Sequence, residues 1–118
     1  MKNFKQLKIW QTGKEIAIAT FKLSQKLDRS ESFTFSSQIT RAALSIPSNI
    51  AEGSSRKSKK DYARFIEIAL GSSFELETQL EIMSELEIVP TSEVKLIELI
   101  NEEQRMLYGF LKALKTDE

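Results

Sequence analysis

Length, composition and charge exclude several classes of protein at once. The 118 residues include no cysteine and no histidine, which excludes disulfides, thiolate metal sites and nucleophilic catalysis by Ser–His or Cys–His pairs. A chain of this length with 41% hydrophobic and 29% charged residues indicates one globular domain, residues 1–118. The sequence contains neither the apolar core of a signal peptide nor the ~18 apolar residues of a membrane span, so we predict a cytoplasmic location.

Charge is unevenly distributed along the chain although the net charge is zero. Residues 1–64 contain 13 Lys/Arg and 5 Asp/Glu, a balance of +8, whereas residues 65–118 contain 4 and 12, a balance of −8. Such asymmetry is typical of a chain with a charged partner. The basic half therefore predicts contact with nucleic acid or with the acidic half of another copy, although folding the halves side by side cancels part of the asymmetry.

The first predicted helix covers residues 4–27. Its inward face repeats with the 4-3-4-3-4 spacing of a helix and comprises Ile9, Gly13, Ile16, Thr20, Leu23 and Leu27. Gly13 costs roughly 1 kcal/mol relative to alanine inside a helix, a cost that a close helix crossing would explain. The polar residues 28–32 break the period and are predicted to form a loop.

The second predicted helix starts near Ser36, with Ser36 or Thr34 as the N-cap. Its inward face comprises Phe35, Ile39, Ala42, Ile46 and Ile50. We expect Gly53 to end this helix as the left-handed residue that follows many helix C-termini.

Pro47 lies inside this second helix, where proline removes one backbone hydrogen bond and costs about 3 kcal/mol. We therefore expect a bend at Pro47 and a replacement donor to the Ala43 carbonyl, from Ser48, Asn49 or a water. We favour one kinked helix because the apolar phase continues past the proline. The alternative is that the helix ends at Ser45 and a short new helix begins with Pro47 in its first turn.

The third predicted helix opens at Ser58 and runs to about Leu86, followed by a turn at residues 87–90. Ser58 and Asp61 have the spacing of a capping box, in which each residue bonds the other's backbone amide. The inward face repeats with bundle periodicity and comprises Tyr62, Ile66, Ala69, Ser73, Leu76, Leu80 and Met83.

The fourth predicted helix follows Pro90 and is expected to be capped by Thr91 or Ser92. It carries two apolar stripes: Ile97, Ile100, Leu107, Leu111 and Leu114 form one, and Leu96, Leu99, Met106 and Phe110 form the other. A helix in a monomeric bundle needs one apolar face, so we expect the second to cover a neighbouring copy. The alternative is that helix four packs deeply in its own bundle. Together the four helices predict an all-α, antiparallel up-and-down four-helix bundle.

Basic residues cluster where the third helix begins. The cluster comprises Arg56, Lys57, Lys59, Lys60 and Arg64. Backbone amides and the positive end of a helix favour an anion there, and such clusters bind the nucleic-acid backbone without reading bases. The alternative is a solvated linker. The segment after Gly53 lacks the second glycine of a P-loop, so we do not expect nucleotide hydrolysis.

Acidic residues in the third helix are the remaining candidates for chemistry. Glu77, Glu81 and Glu85 follow each other at four-residue intervals on one helix face. Carboxylate-bridged metal sites in bundles use histidine as well, so we expect no metal, cofactor, small-molecule substrate or catalytic residue. The ridge is expected to be solvated or to face basic residues of a neighbour. Arg41 is expected to pair with a helix-three carboxylate such as Glu67 or Glu75.

The segment RAALSIPSNIAEGSSRKSKKDYARFIEIALGSSFELETQL, preceded by FKQLKIWQTGKEIAIATFKL, resembles a family of proteins encoded in intervening sequences of bacterial 23S rRNA genes. The most specific run, residues 46–53, contains Pro47, Asn49, Glu52 and Gly53. The resemblance covers roughly residues 4–85, and helix four fits by position only. It implies an up-and-down four-helix bundle that forms homo-oligomeric rings, pentamers in particular.

A related branch of that family serves diversity-generating retroelements as an accessory protein, where it partners a reverse transcriptase and RNA. The resemblance and the basic cluster together predict a non-enzymatic homo-oligomer that binds RNA or an RNA-handling partner such as a reverse transcriptase. The alternative is a structural homo-oligomer with no nucleic-acid role, in which the basic half of one copy meets the acidic half of the next.

Overall fold

A computed structural model describes residues 3–27, 29–89 and 93–116 of the chain. A short 3₁₀ turn, Phe4–Gln6, precedes four α-helices: α1 (Lys8–Gln25), α2 (Arg29–Ser54), α3 (Lys59–Glu85) and α4 (Val94–Thr116). The described ranges contain helices and connections and no strand, which confirms the predicted all-α fold.

Contacts show that α2 and α3, and α3 and α4, run in opposite directions. Arg41 of α2 pairs with Glu75 of α3 at 2.7 Å, one of the two carboxylates predicted. One turn later in α2, the Ser45 hydroxyl lies 2.8 Å from that of Ser72, which is one turn earlier in α3. The ring of Tyr62, early in α3, lies 5.4 Å from that of Phe110, late in α4. The bundle measures 48 × 20 × 19 Å, so the 27 residues of α3, about 40 Å long, span most of its axis.

The core runs along the bundle and takes one face from each helix. Its fully or nearly buried members include Ile9, Ile16, Ile39, Ile46, Ile50, Ile66, Leu76, Met83, Ile100 and Leu107. These positions confirm the inward faces predicted for the first three helices. Within the described ranges, none of the helices combines the length and hydropathy that crossing a bilayer requires.

Helix α2 begins at Arg29, about two turns before the predicted start near Ser36. The loop predicted for residues 28–32 is therefore wrong for residues 29–32, and residue 28 lies outside the described part of the chain. Residues 29–34 include a single apolar residue, Phe33, which is exposed, so this part of the sequence carries no repeating apolar pattern from which a helix could be predicted.

Helix α2 continues through Pro47 without interruption, which confirms one helix over two. The side-chain amide of Asn49 donates to the Ser45 carbonyl at 2.8 Å and to the Ser45 hydroxyl at 2.9 Å. It does not donate to the Ala43 carbonyl, which was the expected acceptor. The Ser45 hydroxyl in turn lies 2.8 Å from that of Ser72 on α3. Asn49 thus belongs to a polar link between α2 and α3, and the bend at Pro47 stays a prediction.

Gly53 lies within α2 and does not adopt the left-handed conformation predicted for it. The helix ends one residue later, at Ser54. A Cβ added to Gly53 would lie 2.9 Å from Phe65 Cβ and 3.0 Å from Tyr62 Cδ1. Glycine is therefore required because α2 and α3 cross too closely here for a side chain.

Among the described residues, the left-handed conformation is found instead at the end of α3. Glu87 has a φ of 61°. The Ile88 amide donates to the Met83 carbonyl at 2.8 Å, and the Glu87 amide donates to the Ser84 carbonyl at 3.0 Å. These two bonds form a Schellman motif, which satisfies the last carbonyls of α3.

Helix α4 packs deeply into its own bundle, so the second apolar face predicted for a neighbour is already used. Its buried stripe comprises Leu96, Ile100, Glu103, Leu107 and Leu111, and the flanking Ile97, Leu99, Met106, Phe110 and Leu114 are partly buried against the same core. The two predicted stripes adjoin and form one broad face within the subunit. The caps predicted at Thr91 or Ser92 lie outside the described residues.

Candidate nucleic-acid interface

All five predicted basic residues lie exposed around the junction of α2 and α3. Arg56 and Lys57 are in the connection, Lys59 and Lys60 are in the first turn of α3, and Arg64 follows one turn later. The close crossing at Gly53 brings this junction against the side of α3. The structure therefore holds these residues at one end of the bundle.

Phe65 organises the two arginines of this cluster. The guanidinium carbon of Arg56 lies 4.6 Å from the centre of the Phe65 ring, and that of Arg64 lies 5.2 Å from it. Arg56 also pairs with Glu52 at 2.7 Å, one turn earlier in the chain. Stacking on an aromatic ring restricts a guanidinium group and leaves its outer N–H groups available to an anion. The sequence analysis assigned Phe65 no such role, because only the fold brings Arg56 beside it.

The lysines of the cluster differ in their surroundings. Within the described ranges, Lys57 and Lys60 have no ion-pair partner, whereas Lys59 interacts with another group. Their side chains are exposed, so their ammonium groups are available to solvent and to ligands. These two lysines carry the uncompensated charge of the junction.

The start of α3 is capped by its own side chains. The Ser58 hydroxyl accepts a hydrogen bond from the Asp61 amide at 3.1 Å, which confirms the Ser58 half of the predicted capping box. The Asp61 carboxylate lies 3.9 Å from the guanidinium group of Arg64 and does not complete the box. Because the Ser58 hydroxyl already caps this helix terminus and the Asp61 carboxylate adds a negative charge in its first turn, positive charge for an anion comes mainly from the lysine and arginine side chains.

The up-and-down topology adds further basic residues to the same end. The start of α1 and the end of α4 lie at the same end of the bundle as the start of α3, which brings in Lys5, Lys8, Lys112 and Lys115. Residues 3–10, 50–67 and 110–116 together contain nine Lys/Arg and three Asp/Glu. Of these, Lys115 lies 3.7 Å from Glu67. We call these three segments the basic end. The fold gives this end a higher density of positive charge than residues 1–64 have as a whole.

The acidic ridge of α3 belongs to a groove nearer the other end of the bundle. Glu77, Glu81, Glu85 and Glu93 line this groove between α3 and α4, which has a volume of about 530 Å³. Glu77 accepts hydrogen bonds from Gln104 at 2.8 Å and Asn101 at 3.2 Å, while Glu81 and Glu85 are exposed. The described residues contain no cluster of acidic side chains able to hold a metal ion. The ridge is therefore partly tied to α4.

A second groove, which the sequence analysis missed, lies between α1 and α2. Its apolar lining comprises Trp10, Ala17, Ile18, Phe21, Leu44, Pro47 and Ala51. Lys14 and Lys22 also line it, and the groove has a volume of about 670 Å³. The exposed fractions of Ile18, Phe21 and Leu44 are 47%, 42% and 51%, which is unusual for large apolar side chains. We call this the α1–α2 groove.

Comparison with known proteins identifies the family. A solved crystal structure of a protein with unknown function from the S23 ribosomal protein family of Bacteroides thetaiotaomicron VPI-5482 is similar, with a TM-score of 0.83 and 25% identity over 88% of this chain and 98% of that one. No curated protein matches the chain. A sequence model of the family described as 23S rRNA-intervening sequence protein matches residues 5–109. The chain therefore belongs to the 23S rRNA-intervening sequence protein family.

Proposed function

We propose that this protein binds the phosphate backbone of RNA through its basic end, as a binding protein in the cytoplasm and not as an enzyme. The observation that carries the proposal is the pair Lys57 and Lys60, exposed and without an ion-pair partner in the described chain, beside two arginines fixed on Phe65. Four further lysines lie at the same end. Lysine and arginine side chains neutralise phosphates and release bound counterions, which gives affinity without base specificity.

RNA is favoured over a protein partner because the exposed residues of the basic end are mostly polar, and Lys/Arg outnumber Asp/Glu there by nine to three. A reverse transcriptase partner rests on the sequence resemblance alone, and a reverse transcriptase gene beside the gene for this protein would support it.

Binding of a structured RNA, measured by filter retention between low and physiological salt, tests this proposal. We expect Lys57→Gln with Lys60→Gln to weaken binding and to reduce the slope of log affinity against log salt by about 1.4–1.8, since each phosphate contact contributes about 0.7 in single-stranded and about 0.9 in double-helical nucleic acid. The matched control is Lys26→Gln with Lys95→Gln, which removes the same charge from exposed positions outside the basic end. Equal effects of the two pairs, or affinity independent of salt, would contradict the proposal.

We further propose that copies of the chain assemble through the α1–α2 groove, with a neighbour's α3 as its occupant. The outward face of α3 carries the exposed apolar side chains Ile68, Phe74, Ile82 and Leu86. Exposed carboxylates of Glu67, Glu81 and Glu85 lie on the same face. An acidic, partly apolar helix face complements an apolar groove lined by Lys14 and Lys22.

The geometry of this contact determines the kind of assembly. The groove and the α3 face are different surfaces of one subunit, so each copy offers both halves of the contact. Such head-to-tail contacts close into rings when the rotation between copies allows it. A pentamer, which the sequence resemblance favours, is one such ring. This assembly is also the basis of the alternative function, a structural homo-oligomer without a nucleic-acid role.

Light scattering coupled to size-exclusion chromatography tests the assembly. We expect the wild-type protein to have a mass several times the 13.5 kDa of one chain, and five times for a pentamer. Leu44→Asp in the groove and Phe74→Asp on α3 should each release monomers. Phe33→Asp, at an exposed apolar residue on neither surface, is the matched control. A monomeric wild type, or an unchanged mass in both variants, would exclude this interface.

The two functions are separated by combining the assays. If Lys57→Gln with Lys60→Gln lowers RNA retention and leaves the mass unchanged, the basic end binds RNA independently of assembly. If the same change dissociates the oligomer and RNA retention is absent in the wild type, the structural alternative is correct.

A further inference from the structure

Glu103 is a fully buried carboxyl group in the centre of the bundle. It lies in the buried stripe of α4 and its exposed fraction is 0%. Neither carboxyl oxygen has a hydrogen-bond partner among the described residues. An ionised carboxylate in such a place has a large desolvation cost, so a buried acid without a partner is expected to hold its proton.

Gly13 of α1 leaves space for this carboxyl group where α1 meets α2 and α4. A Cβ added to Gly13 of α1 would lie 3.0 Å from Glu103 Oε2, 3.2 Å from Ile46 Cγ2 and 3.4 Å from the Pro47 nitrogen of α2. Gly13 thus allows α1, α2 and α4 to converge on the carboxyl group. Pro47 has no N–H, so it cannot donate a hydrogen bond to a carboxylate, and one backbone carbonyl of α2 lacks its usual helical donor. A protonated carboxyl brings an O–H donor to this crossing.

The charged groups around Glu103 do not compensate an ionised carboxylate. Burial is the main cause that raises its pKa from 4.5 to about 8; the neighbouring Glu102 raises it further, and Lys8 of α1 lowers it. Lys8 and Glu102 are both exposed. The residues of α2 at the crossing, Ile46 and Pro47, are uncharged, and so are all the buried residues of α3.

We propose that Glu103 is a proton-controlled lock that holds α4 against α1 and α2 while it is neutral and loosens this crossing when it ionises. The lock lies on the helix whose last turns carry Lys112 and Lys115. Loosening α4 therefore displaces part of the basic end, which would make the proposed RNA contact sensitive to pH. The lock itself rests on the packing of Glu103, whereas its effect on RNA rests on the proposed function.

The direction of the pH effect follows from which state holds the proton. The pKa of Glu103 is higher in the folded protein than its ordinary value of 4.5. The contribution of this group to stability is therefore complete below about pH 4.5, decreases as the pH rises, and is lost above about pH 8. Within this window the folding equilibrium constant falls up to tenfold per pH unit, the effect of one proton.

Denaturant unfolding of the full-length protein between pH 5 and pH 9.5 tests the lock. We expect the wild type to lose stability as the pH rises from 5 to about 8, and Glu103→Gln, which keeps shape and polarity but cannot ionise, to lose most of this dependence. Glu102→Gln, at the exposed neighbouring position, is the matched control and should retain it. Equal pH profiles for the wild type and Glu103→Gln would overturn the proposal.

A second measurement does not depend on the variant folding. The carboxyl carbon of Glu103 in the wild-type protein can be followed by NMR during a pH titration. A midpoint close to 8 supports the lock, and a midpoint near 4.5 overturns it. Amide hydrogen exchange across α4 should then increase above that midpoint more than exchange in the core of α3. If the titration and the exchange behave this way while RNA affinity does not change with pH, the lock stands and its link to the proposed function fails.

Discussion

Replacing Gly53 by alanine tests the close crossing of α2 and α3. An alanine in a helix is normally favoured over glycine by about 0.5–1 kcal/mol, because it reduces the conformational freedom of the unfolded chain. At Gly53, however, the new methyl group would lie 2.9 Å from Phe65 Cβ, an atom fixed directly to the α3 backbone. Relieving that contact requires α2 and α3 to separate, and overpacking of this kind costs about 1–3 kcal/mol.

The net expectation for Gly53→Ala is a loss of about 1 kcal/mol in the free energy of unfolding, which is the overpacking cost less the helix gain. Two other glycines provide matched controls, because a Cβ added to Gly71 or Gly109 meets no heavy atom within 4 Å. Both lie inside helices, so Gly71→Ala and Gly109→Ala should each stabilise the protein by about 0.5–1 kcal/mol.

Chemical denaturation followed by circular dichroism measures all three variants under the same conditions. For a domain of this size, 1 kcal/mol corresponds to roughly 4 °C in the midpoint of thermal unfolding, so opposite signs are readily distinguished. If Gly53→Ala stabilises the protein as much as the two controls do, the close crossing does not exist and Gly53 needs another explanation.

Three further changes test individual features. Glu87→Gly should stabilise the protein by about 0.5–1 kcal/mol in thermal unfolding, because glycine adopts the left-handed conformation without strain. The control Glu85→Gly, in α3, should cost about 1 kcal/mol. A loss of stability in Glu87→Gly would contradict the Schellman assignment. Phe65→Leu should weaken RNA retention a few-fold by releasing the two stacked guanidinium groups, with little change in salt slope, since each exposed cation–π contact contributes about 0.5–1 kcal/mol. A double-mutant cycle on Arg41 and Glu75 should give a coupling below about 1 kcal/mol, as both side chains are substantially exposed, and a larger value would show a shielded pair.

Several features of this protein are determined locally and were predicted from the sequence. The inward faces of the first three helices follow from apolar residues repeated every three or four positions, because one side of each helix must avoid water. The Ser58 cap depends on residues within a single helical turn. The pairing of Arg41 with a carboxylate of α3 was predicted as well, with Glu67 or Glu75, but only the packing of α2 against α3 selects Glu75.

Other features depend on which segments meet in space, and no local pattern could reveal them. Gly53 was predicted to end a helix because glycine usually does, but its neighbour Phe65 comes from the next helix. Glu103 stands in an apolar stripe between Ile100 and Leu107, and that position was the signal that the analysis of the sequence overlooked. Its surroundings, however, are supplied by Gly13 and α2.

The basic end also combines features determined by the sequence with features determined by helix packing. The sequence determines that Arg56, Lys57, Lys59, Lys60 and Arg64 are close together, because they are close in the chain. Only the antiparallel packing adds lysines from the start of α1 and the end of α4, which are about a hundred residues apart. Helical periodicity is set by backbone geometry within a few residues, whereas the charge of a surface depends on how distant helices are arranged around a common core.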